Sequence, residues 1–98
     1  MVTFESKPEE TNVFRKLVLK QAENSLEKES ECHQFDVVQD ESNENILYLY
    51  ELYTNRKAFD DHLASDHFIE FNERVTPMML RKEVLSGYQQ INNQEKAL

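Results

Sequence analysis

Ile46-Leu47-Tyr48-Leu49-Tyr50-Glu51-Leu52-Tyr53 is the most apolar run in the chain, and its reading decides the fold. Successive side chains of a strand point to opposite faces. The run therefore divides into Ile46, Tyr48, Tyr50 and Leu52 on one side and Leu47, Leu49, Glu51 and Tyr53 on the other. Apolar on both faces, it reads as a central strand that must be covered twice. A chain of 98 residues has room for one domain and few helices, enough to cover one face. A second copy of the chain is the simplest cover for the other.

Upstream, Val2 to Ser6 is a short strand with Val2 and Phe4 on one face. Pro8, followed by Glu9 and Glu10, suits the start of a helix. Val13, Phe14, Leu17, Val18, Ala22 and Leu26 then form one apolar helical stripe, predicting a helix to about Glu29. Cys32 to Gln39 reads as a strand with His33, Phe35 and Val37 on one face, and the polar cluster 40–45 as a turn. Downstream, Thr54 or Asn55 can cap a second helix with Ala58, Phe59, His62 and Leu63 inward. Ser65 offers a fresh cap for a third helix carrying Phe68, Phe71, Val75 and Met78, which Pro77 ends. Leu80 to Gln90 is the last strand candidate. The order is strand, helix, strand, strand, two helices, strand, the α+β, ferredoxin-like β-α-β-β-α-β sandwich. One domain is expected over 1–91, with a loosely ordered tail over 92–98.

Eleven Lys and Arg face nineteen Asp and Glu, a formal net charge of −8. That balance repels phosphate backbones and anionic lipid surfaces, so neither a nucleic-acid nor a membrane partner is expected. Cys32 is the only cysteine and has no internal disulfide partner, which fits a reducing compartment. No stretch approaches the roughly 20 apolar residues of a membrane span, and the first residues lack the blocks of a signal peptide. A cytoplasmic location is the expectation.

Four features can carry chemistry, and each has a plainer alternative. His62 lies on an apolar stripe, where an imidazole either acts on a ligand near neutral pH or is a core histidine bonded to the backbone. His67 falls in the first turn of the third helix, where the helix dipole favours a neutral ring. It can donate to a substrate oxygen or simply begin the helix. Glu51 sits among apolar neighbours, so it finds an ion-pair partner or its pKa rises toward proton-transfer range. Tyr48, Tyr50 and Tyr53 with Phe35, Phe59, Phe68 and Phe71 describe either an aromatic pocket or an ordinary core. No glycine-rich loop, CxxC or HExxH pattern is present. The spacing of His62 and His67 is wrong for two ligands on one helical turn, and a helix break is expected between them. The expectation is no metal and no bound cofactor.

Three segments together resemble the antibiotic biosynthesis monooxygenase family. They are Lys7-Pro8-Glu9 with Phe14, then Ser25-x3-Glu29-x2-Cys32-x2-Phe35-Asp36-Val37, and finally Tyr50-Glu51-x-Tyr53 with Ala58 and His62-x2-Ser65-x-His67-Phe68. The resemblance spans about residues 2 to 85. It implies a homodimer in which two sheets pack face to face as an α+β barrel. It also implies a cofactor-independent monooxygenase that holds an electron-rich quinol, aromatic or polyketide-like molecule beside O₂ in a dry pocket. Carried over position by position, it gives His62 the role of base or oxygen-orienting donor. Glu51 becomes the group that orients an imidazole or a backbone group. Asn24, Phe35, Tyr50, His67 and Phe68 become the substrate-binding residues. Glu31 stands where the family usually has glycine, and Tyr53 where it has tryptophan, which argues against the haem-degrading branch. Two other readings stand beside the leading one: an isomerase of a small phosphorylated dicarbonyl, of the autoinducer-2 breakdown type, and a non-catalytic dimeric ligand-binding module.

Overall fold

The computed structural model describes residues 1–90. Strand β1 (Val2–Ser6) leads through a single 3₁₀ turn at Pro8–Glu10 into helix α1 (Thr11–Lys28). Strands β2 (Cys32–Gln39) and β3 (Ile46–Tyr53) follow as a hairpin. Helices α2 (Arg56–Leu63) and α3 (Asp66–Val75) come next, then a 3₁₀ turn at Thr76–Met78 and strand β4 (Met79–Val84). All pairings are antiparallel, in the order β2-β3-β1-β4, with helices on one face of the sheet. This is the ferredoxin-like α+β arrangement expected from the element order. The tail expected over 92–98 lies outside the described residues.

The core forms where the covered face of the sheet meets α1 and α3. Phe4, Leu47 and Leu49 come from the strands, Phe14, Val18 and Ala22 from α1, and Phe71 and Val75 from α3. Phe4 and Phe14 meet edge to face with ring centres 5.3 Å apart, an arrangement the ring quadrupole favours. The alternation of β3 is as its sequence implies. Leu47 and Leu49 are buried, whereas Tyr48 is 40 % and Tyr50 38 % exposed on the face that no helix covers. Val38 of β2 shares that open face through its pairing with Tyr48.

Three expectations are corrected in detail. On α1, Val13 and Leu26 are exposed. The buried face instead runs Thr11, Phe14, Val18, Gln21, Ala22 and Ser25, so its C-terminal half is partly polar. On β2, the register shifts between Cys32 and Gln34. An extra residue inverts the strand's alternation, so Cys32 and Phe35 both turn inward while His33 is exposed and bonds the Thr54 hydroxyl at 2.6 Å. The last strand is Met79–Val84 and does not reach Gln90. Two further bonds, from the Leu85 amide to the Met1 carbonyl and from the Met1 amino group to the Leu85 carbonyl, extend the β1–β4 ladder past Val84.

Candidate functional site

Caps place the site. The Asn55 side chain accepts from the Ala58 amide and starts α2. Ser65 does two jobs at the α2–α3 junction. Its hydroxyl accepts from the Phe68 amide as the N-cap of α3 and donates to the His62 carbonyl at 2.6 Å. An N-cap oxygen satisfies a helix-end amide that would otherwise lack a partner. The expected break between His62 and His67 is therefore present, and it brings the two rings together at 5.8 Å between centres. Spacing that is wrong for one helix is right for a corner.

His62 is only 2 % exposed. Phe35, Tyr53, Phe59 and Phe68 surround its ring at centre distances of 6.4, 5.2, 6.0 and 5.0 Å. Its Nδ1 meets Glu29 Oε2 at 2.8 Å, and its Nε2 faces Glu51 Oε1 at 3.8 Å. Burial lowers the His62 pKa, with Glu29 opposing, so the ring is held neutral. His67 Nε2 also stands 2.8 Å from Glu29 Oε2, but off the line of a hydrogen bond, and among the described residues that buried nitrogen has no other partner. The other His67 nitrogen, Nδ1, faces the Gln21 amide at 3.2 Å.

Glu51 sits on the covered face of β3. Burial pushes its pKa up to about 7, and the charge of Glu29 adds to the effect. The Tyr53 hydroxyl donates to Glu51 Oε1 at 3.3 Å. Burial, followed by the carboxylate of Glu51, raises the Tyr53 pKa, so the phenol stays protonated. Cys32 is likewise held as the thiol, through burial first. In front of these groups an open cleft of about 810 Å³ lies between the end of β3, the start of α2 and residues 84–89. Tyr50, Glu51, Tyr53, Arg56, Phe59 and Tyr88 are among its walls. Its size falls in the range of small-molecule sites.

The structure thus gathers Glu51, His62, His67, Phe35 and Phe68 into one cluster. His62 lies behind the aromatic wall, and Glu51 is the acidic group that reaches the cleft. Tyr50 projects from the uncovered sheet face and meets the cleft only at its rim. Asn24 takes no part in the cluster's hydrogen bonds; Gln21, one turn earlier on α1, does. Gln21 and Glu29 are the members that sequence reasoning passed over. A signal was there: Gln21, Ser25 and Glu29 continue the inward stripe of α1 at four-residue spacing, with polar side chains where apolar ones are expected. A carboxylate with two imidazoles is also a donor set able to hold a divalent cation.

Helices over one face of a four-stranded antiparallel sheet, with a histidine–carboxylate cluster behind an aromatic cleft, define a small ferredoxin-like domain with a candidate ligand site. Comparison with known proteins gives the family. The profile of the antibiotic biosynthesis monooxygenases matches residues 1–74, and the chain belongs to that family. No curated protein matches the sequence. Among solved structures, a putative antibiotic biosynthesis monooxygenase from Nitrosomonas europaea is similar at 24 % identity and a TM-score of 0.79, over 84 % of this chain and 79 % of its own. A conserved protein from Methanosarcina mazei Go1 is similar at 29 % identity and a TM-score of 0.77, over 84 % of this chain and 81 % of its own. A putative antibiotic biosynthesis monooxygenase from Bacteroides thetaiotaomicron reaches a TM-score of 0.85 at 20 % identity, over 92 % of this chain and 86 % of its own. Family membership supports a general monooxygenase-like function. Among the described residues, no helix is long and apolar enough to cross a membrane.

Proposed function

We propose that this chain is a cofactor-independent monooxygenase that oxidises an electron-rich quinol, aromatic or polyketide-like small molecule with O₂. The observation that carries the reading is a single buried carboxyl, Glu51, facing an aromatic-walled cleft. A flat phenol fits against Tyr53 and Phe59, whose rings meet at 5.4 Å. Glu51 accepts the phenolic hydrogen bond and takes its proton as the ring becomes electron-rich enough to reduce O₂. His62 stands behind Glu51 and, held by Glu29, orients it. At an activated methylene the balance is complete. Two C–H bonds break, one oxygen atom becomes the carbonyl of the product, and the other leaves as water. The substrate carbon supplies all four electrons that reduce O₂.

The uncovered sheet face belongs to the same proposal. Val38, Tyr48 and Tyr50 present apolar and aromatic surface there, and burying it against a second copy would close two sheets into an α+β barrel. Tyr50 borders both that face and the cleft, so dimerisation would finish the cleft's rim.

One observation favours a second reading. Arg56 lines the cleft and is paired with Asp60 at 3.1 Å. It gives an isomerase of a phosphorylated dicarbonyl the cation that such a substrate requires. The two readings separate on oxygen. Quinol-dependent O₂ uptake that Glu51→Gln lowers supports the oxygenase. Uptake no faster than autoxidation, together with phosphate-ester binding that Arg56→Gln abolishes, supports the isomerase. The open cleft weighs against a non-catalytic module whose aromatic rings fill their own pocket.

A further inference from the structure

We infer that Glu29, His62 and His67 form a binding site for one divalent transition-metal cation of the zinc class. Each offers one ligand atom, and the three atoms lie within 4.8 Å of one another. Glu29 Oε2 stands 2.8 Å from both His62 Nδ1 and His67 Nε2. A tetrahedral ion that holds nitrogen and oxygen at about 2.0–2.2 Å sets neighbouring donors roughly 3.4 Å apart, so binding would widen the two Glu29 contacts by about 0.6 Å. Two imidazoles and a carboxylate are a donor set that zinc uses, with water in the remaining position.

The second observation is His67 itself. Its side chain is only 10 % exposed, and among the described residues Nε2 has no hydrogen-bond partner although it points into the cluster. Buried polar atoms are nearly always satisfied, and a cation would satisfy this one.

The outer contact of His67 agrees with ligation. A metal-bound imidazole usually donates its remaining N–H to a fixed acceptor. For His67 that acceptor is Gln21 Oε1, 3.4 Å from Nδ1. For His62, Nε2 faces Glu51 Oε1 at 3.8 Å, beyond hydrogen-bond distance. Glu29, at 15 % exposure the most accessible of the three, provides the way in from the C-terminal end of α1. The ion sits behind the cleft wall and ties α1 to the α2–α3 corner. The site shares His62 and Glu29 with the arrangement that orients Glu51 in the oxygenase reading, but the ion takes no step in the oxidation.

The test uses the full chain, stripped with EDTA and titrated with Co²⁺ and then Zn²⁺. One Co²⁺ per chain is expected, with visible absorption bands that Zn²⁺ abolishes. Zn²⁺ should raise the melting temperature, as any ligand of the folded state does. Glu29→Gln and His67→Ala each lower the affinity at least about 100-fold, and Gln21→Ala about 10-fold, as loss of an outer partner does. Circular dichroism checks the fold of each variant. If the ligand variants fail to fold, Gln21→Ala carries the test because it removes no ligand. Two results overturn the site: no band and no heat of binding in the unaltered chain, or equal Zn²⁺ affinity in the folded variants, which would place the ion on the acidic surface. Oxygen uptake is read separately, so either inference can fail without the other.

Discussion

Replacing Glu51 by glutamine should make the protein's stability less dependent on pH, and the size follows from the burial of that carboxyl. The Glu51 pKa rises from 4.5 to about 7 on folding, through burial first. At 1.36 kcal/mol for each tenfold change in acidity, this comes to roughly 3 kcal/mol. The sign is fixed by proton counting. Between pH 4.5 and 7 the folded chain holds a proton on Glu51 that the unfolded chain has released, so stability falls as pH rises. Below pH 4.5 the contribution is fully present, and well above 7 it is lost. His62 acts in the opposite sense: its lowered pKa means that stability falls as pH drops below 6.5. Glu51→Gln retains His62, so the difference between the two proteins isolates Glu51. Urea unfolding in EDTA-treated buffer at pH 4.5, 6, 7 and 8.5 measures it. The variant should gain on the unaltered protein by up to about 3 kcal/mol between the lowest and highest pH. A difference that stays constant across that range would refute the buried-carboxyl argument.

Other perturbations test other links. Phe14→Ala removes a ring that is 1 % exposed and should cost about 3–5 kcal/mol in urea unfolding. Ser65→Ala loses both the cap of α3 and the bond to the His62 carbonyl; about 1 kcal/mol is expected, with a larger effect on oxygen uptake than on stability. Phe59→Ala opens the wall between cleft and histidine and should raise KM for a quinol roughly tenfold, about 1.4 kcal/mol of binding. Tyr48→Arg puts a charge on the uncovered sheet face, and light scattering should show that it breaks the proposed dimer into monomers.

The fold was legible in the sequence wherever a repeating pattern met a single cover. The alternation of β3 announced two faces, and Asn55 and Ser65 announced two helix starts, because caps are local chemistry. The end of β4 was not legible, since its pairing stops where its neighbour β1 stops and nothing in Leu85 to Gln90 marks that point. Val13 and Leu26 were placed inward because periodicity counts apolar residues. The site needed the polar ones, Gln21 and Glu29, on that same face. His62 stood out as an imidazole on an apolar stripe. Its partnership with His67 did not, because a corner between two helices leaves no fixed spacing in the sequence. Nor could spacing tell that His62 is sealed behind rings while Glu51 reaches the cleft.

The most direct test of the central claim is oxygen consumption by the purified protein with a small panel of electron-rich hydroquinones and anthrones, with and without EDTA. The account predicts uptake above the autoxidation blank that persists in EDTA and drops at least about a hundredfold in Glu51→Gln, within the range typical of a lost general base. No uptake above the blank with any of these substrates, or uptake unchanged by Glu51→Gln, would contradict it.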